Sequence, residues 1–128
     1  MKLKSDVRLL VTCDSGAGAG KTTAAKYLSK RYGLNLLTSG LLYRMVAQKL
    51  LVSKKKVTDI TFLKKITKNI SSKHLQNHKL YSPEVTEFTS KIAKIKKVRM
   101  LLRNYQKIFA RKRLAVCEGR DQGLLFKN

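Results

Sequence analysis

The chain has 128 residues, 43% of them hydrophobic, and a formal net charge of +22 from 29 Lys and Arg against seven Asp and Glu. That length and apolar content suit one domain with its own core; no apolar run of about 18 residues is present, and Met1-Lys2-Leu3-Lys4-Ser5-Asp6 has none of the layout of a signal peptide, so the expected location is cytoplasmic, with no membrane partner. The charge alone points to a polyanion, but lysine clusters such as Lys54-Lys55-Lys56 and Lys64-Lys65 fall on polar helix faces without interleaved aromatics, which disfavours a single-strand stacking platform.

The first element is a strand, Val7 to Cys13, and it feeds Asp14-Ser15-Gly16-Ala17-Gly18-Ala19-Gly20 before Lys21-Thr22-Thr23 open a helical pattern running to Tyr32. Strand, glycine-rich loop and helix follow in the order a phosphate-binding loop requires. Glycines let successive N–H groups turn toward an anion, and the helix N-terminus adds its positive end. Lys21 then suits the outer phosphates and a threonine hydroxyl suits Mg²⁺. The usual spacing G-x-x-x-x-G-K-[ST] expects glycine where Ser15 stands, but the lysine, the two threonines and the flanking pattern favour phosphate binding over a turn that merely joins strand to helix.

Gly33 reads as a helix C-cap and Leu34-Asn35-Leu36-Leu37 as a second strand. Thr38-Ser39-Gly40 starts a helix with the stripe Leu41, Leu42, Met45, Val46 and Leu50, and Asp59 caps another carrying Ile60, Leu63, Ile66 and Ile70. Residues 71–81 are polar and weakly patterned, so they read as a connection. Ser82-Pro83-Glu84 is a strong helix start, continued by Val85, Phe88, Ile92 and Ile95. A further helix from Val98 to about Lys112 is expected to bury Leu101, Leu102, Tyr105, Ile108 and Phe109.

Leu114-Ala115-Val116-Cys117 is a third buried strand, ending in Glu118-Gly119-Arg120-Asp121. Ligands of parallel α/β sheets collect at strand carboxyl ends, where both this tetrad and the glycine-rich loop fall. Arg120 suits a bidentate grip on phosphate, with Asp121 to orient it; a structural ion pair is the alternative. Ser39, Tyr43 and Arg44 add a hydroxyl, an aromatic and a guanidinium around one helix start. Their plain reading is an N-cap, a half-buried ring and a solvated arginine, and Arg99 is one cation in a basic helix. Cys13 and Cys117 read as small reduced core residues. His74 and His78 have metal-ligand spacing without an acid or cysteine nearby, so they read as solvated.

Five stretches, Asp14 to Thr23, Leu37 to Arg44, Tyr81 to Val85, Val98-Arg99 and Glu118 to Asp121, resemble in order the successive signatures of the bacterial cytidylate kinases. The resemblance covers nearly the whole chain, least well over residues 52–80. It implies an α/β P-loop nucleoside-monophosphate-kinase fold, a parallel sheet flanked by helices, and transfer of the γ-phosphoryl group of ATP to CMP or dCMP in pyrimidine nucleotide metabolism. Carried over by residue, Ser15, Gly16, Ala17, Gly18, Ala19, Gly20, Lys21, Thr22 and Thr23 would bind ATP phosphates. Lys21 and Arg120 would be catalytic, Thr22 would lie nearest Mg²⁺, and Ser39, Tyr43, Arg44, Arg99, Arg120 and Asp121 would hold CMP. Residues 1–55 would form the P-loop core, 56–97 a monophosphate-binding helical insertion and 98–128 the return to the core.

The chain departs from the family pattern at Ser15 for glycine, Ala17 for serine, Thr38 for aspartate and Tyr81 for arginine. The segment before Tyr81 is shorter than the family's insertion. Family members also continue well past position 128 into further strands and an arginine-bearing lid, so the expectation is an N-terminal portion, a monomer when complete, that is poorly stable or impaired on its own. Two other readings stay open: a small-molecule P-loop kinase of the adenylate or shikimate type, and a non-catalytic basic fragment binding nucleotides or nucleic acid.

Overall fold

A computed structural model describes residues 9–14, 21–111 and 114–119. The elements run β1 (Leu9–Asp14), α1 (Lys21–Tyr32), β2 (Asn35–Thr38), α2 (Ser39–Ser53), α3 (Ile60–Lys68), α4 (Ser72–Leu75), a 3₁₀ turn at His78–Tyr81, α5 (Pro83–Ile92), α6 (Lys96–Ala110) and β3 (Leu114–Gly119). They fall into two compact units, residues 1–39 with 106–128, and residues 40–105.

The first unit is the expected α/β arrangement. Its three strands are parallel in the order β1-β3-β2, so the last strand in sequence is the central one. Ala115, Val116 and Cys117 of β3 are fully buried, as a continuous apolar run covered on both faces should be. Helix α1 packs against all three strands, and Ala25, Leu34 and Val116 form a core cluster flanked by Val11, Leu28, Tyr32 and Leu36. Gly33 ends α1 at φ +64°, a conformation in which a side chain would strain the backbone. The turn is then locked twice: the Leu34 N–H donates to the Ser29 carbonyl at 2.9 Å, and the Ser29 hydroxyl donates to the Leu34 carbonyl at 2.7 Å.

In the second unit α2 buries Leu42, Met45, Val46, Ala47 and Leu50. It ends at Ser53; Lys54 follows at φ +54°, and the Lys55 N–H closes on the Leu50 carbonyl at 3.1 Å. Asp59 caps α3 as its type and place suggest, Oδ1 accepting from the Phe62 N–H at 3.1 Å. Ser82 caps α5, its Oγ accepting from the Val85 N–H at 3.2 Å, with Pro83 at the first helical position.

Five expectations are corrected. Residues 71–81 are no plain connection but hold α4 and the 3₁₀ turn, the latter capped by Asn77, whose Oδ1 accepts from the Lys79 N–H at 2.9 Å. Helix α3 stops at Lys68 and α5 at Ile92, leaving Ile70 and Ile95 beyond them. Thr38 closes β2 instead of opening α2. Ile108, expected inside, is 60% exposed. The buried line of α6 is Val98, Leu102 and Gln106, spaced by four, and at 3.6 residues per turn a side chain two positions past Gln106 points to the other side of the helix.

Candidate functional site

Register decides what the sheet presents. Asp14 pairs with Gly119 and Thr38 with Glu118, so β1, β2 and β3 end on one edge of the sheet. Each is followed in sequence by a segment with candidate site residues: Ser15 after β1, Ser39 after β2, and Arg120-Asp121 after β3. Strand carboxyl ends gather ligands in such sheets because the chain leaves them in loops free to carry polar groups. The loop Ser15 to Gly20, Arg120 and Asp121 lie outside the described residues. Of Lys21, Thr22 and Thr23 the backbone is described, as the start of the 12-residue helix α1. The leading N–H groups of a helix have no intrahelical partner and carry the positive end of its dipole. The first turn of α1 holds no acid, so no carboxylate there competes for an anion. Ser39 is buried at the first position of α2, inside the helix and not at its cap.

In the second unit the candidates form two small groups. Tyr43 is half-buried and faces Arg99 and Arg103 of α6. Burial pushes its phenol above the ordinary value of 10, opposed by the two guanidinium groups. Burial likewise raises Tyr105. Arg103 was not singled out by the sequence, although it stands one turn from Arg99. Arg44 makes the second group: Nη1 donates to the Leu80 carbonyl at 3.0 Å and to Thr86 Oγ1 at 2.8 Å, and its guanidinium lies 5.0 Å from the Tyr81 ring centre. The solvated-arginine reading of Arg44 is thereby corrected. Thr86 carries no local motif, and only folding brings it to Arg44 across 42 positions. His74 accepts at Nδ1 from the Ser71 N–H at 3.4 Å.

The Tyr43 shift has a direct test. A folded-state value above the unfolded one contributes stability that is intact below pH 10 and is lost as pH rises from 10 through the raised folded value. Phenolate absorbance followed to high pH is expected to show a late-ionising fraction that shrinks in Tyr43→Phe; a variant titrating like the parent would contradict the burial argument.

Parallel strands joined through helices, with a glycine-rich segment between β1 and α1 in sequence, match the α/β architecture of the P-loop kinase class. The family model for cytidylate kinase matches residues 11–126. Curated cytidylate kinases agree: that of Acidiphilium cryptum is 34% identical over 91% of this chain and 55% of its own length, that of Clostridioides difficile 32% identical over 90% and 58%, and that of Mesorhizobium japonicum 35% identical over 88% and 53%. The chain belongs to the cytidylate kinase family. It spans a little over half the length of these relatives. No described helix is long and apolar enough to cross a membrane.

Proposed function

We propose that the chain carries the nucleotide-binding part of an ATP-dependent kinase acting on CMP and dCMP, giving CDP or dCDP and ADP. The observation that carries the reading is the shared carboxyl edge of β1, β2 and β3, from which the glycine-rich loop, Ser39 and Arg120-Asp121 all depart in sequence. The acid-free start of α1 suits polyphosphate, since an anion there meets unpaired N–H groups and the helix dipole together. Thr22 would help to hold Mg²⁺, which when bound would offset the charge of the ATP phosphates.

In this reading Ser15 to Thr23 wrap the ATP phosphates, and Lys21 with Arg120 offsets charge on the transferring group. Ser39, Tyr43, Arg44, Arg99, Arg120 and Asp121 hold CMP, the arginines mostly on its phosphate and Ser39 and Asp121 toward its base or sugar. A CMP phosphate oxygen bonds to the γ-phosphorus as the bond from that phosphorus to the β–γ bridging oxygen breaks, and ADP leaves. The acceptor is already an anion, so no general base is needed and alignment with charge neutralisation supplies the catalysis. Residues 56–97 serve as the monophosphate-binding insertion, and the reaction belongs in the cytoplasm.

The test is ADP release with ATP and Mg²⁺ when CMP, dCMP, UMP, AMP or shikimate is offered singly. Release with CMP and dCMP above all others is expected; preference for AMP or shikimate would overturn the assignment. RNA binding that falls steeply with salt, without any turnover, would favour the non-catalytic reading.

A further inference from the structure

We infer that Thr86 and Tyr81 are positioning residues for Arg44, holding its guanidinium so that one edge stays open to a phosphate. Among the described residues Arg44 has three contacts, all neutral: a carbonyl, a hydroxyl and a ring face. The ion pair among the described residues, Lys91 with Glu87 at 3.7 Å, lies elsewhere on α5. An arginine fixed by neutral acceptors keeps its field uncompensated, whereas a carboxylate partner would offset that field while both groups stay ionised. Both hydrogen bonds leave from Nη1, and a guanidinium has five donors in a rigid plane. Among the described residues no hydrogen bond uses Nε or Nη2, the pair of donors that gives the side-on bidentate grip suited to a phosphate.

All three contacts come from one short segment, Leu80 to Thr86. It joins the end of the 3₁₀ turn to the start of α5 and is itself fixed by the Ser82 cap. Tyr81 is 62% exposed, which a large ring tolerates when its face carries a stacked cation. Thr86 is exposed too, so removing its hydroxyl touches Arg44 and not the core.

The inference rests on the proposed role of Arg44 at the CMP phosphate, and the experiment separates the two. CMP and cytidine, which lacks the phosphate, are titrated calorimetrically into the full chain and its variants, with thermal melts as the check on folding. Thr86→Val is expected to weaken CMP by about tenfold and Thr86→Ser to restore it, in line with loss and return of one hydrogen bond to a charged group. Tyr81→Leu should weaken CMP severalfold and Tyr81→Phe restore it, and cytidine binding should move in none of them. If Arg44→Met loses CMP while Thr86→Val and Tyr81→Leu keep it, the positioning role is wrong and the phosphate role stands. If the parent chain binds CMP no better than cytidine, both fall. Equal loss of CMP and cytidine in Thr86→Val would also overturn the inference, since it marks a general structural effect.

Discussion

Lys21→Ala is expected to lower ATP-dependent phosphorylation of CMP by roughly a thousandfold, the scale on which a positioned charge acts in a water-poor site. Lysine opens α1 at the place where the motif delivers a cation to the outer phosphates. Alanine is the best helix former, so the change removes the charge without disturbing the helix. Coupled ADP release measures the rate, and circular dichroism confirms that the fold persists. Retention of parental turnover would remove Lys21 from the mechanism. Parental RNA binding in Lys21→Ala, with no turnover in either chain, would support a basic binding fragment instead.

Leu102→Ala is expected to destabilise the protein by about 3 kcal/mol, within the range for emptying a fully buried leucine site. Leu102 has no exposed surface and sits at the middle of the buried line of α6. A loss of that size is a large share of the stability of an ordinary domain. Ile108→Ala on the same helix is the internal comparison: at 60% exposure it should change stability by no more than about 0.5 kcal/mol. Urea unfolding of the two variants and the parent decides the matter. Similar losses in both would mean that α6 is rotated from the face described.

Three helix ends were legible because each rests on a local cause. Asp59 and Ser82 accept from N–H groups three residues on, and Gly33 supplies a positive φ; each motif acts within a few residues of itself. The 3₁₀ turn at His78–Tyr81 was not legible, since its cap Asn77 lies in a polar run without apolar periodicity. Ile108 was misread for a related reason: an apolar residue near the right spacing enters a helical stripe on paper, while the packed face of α6 follows Val98, Leu102 and Gln106.

The linear chain already carries the chemistry on offer: the strand and glycine-rich loop leading to Lys21-Thr22-Thr23, the cations Arg44, Arg99 and Arg120, and the order of motifs that marks the cytidylate kinase family. Those are matters of residue type and short spacing. Tertiary structure alone decided that β3 lies between β1 and β2, ending with them on one edge, that Arg103 joins Arg99 beside Tyr43, and that Arg44 is held by Leu80, Tyr81 and Thr86. Strand order and partners 36 to 42 positions away are set by which apolar faces bury together, and that choice leaves no mark in any short window of the chain.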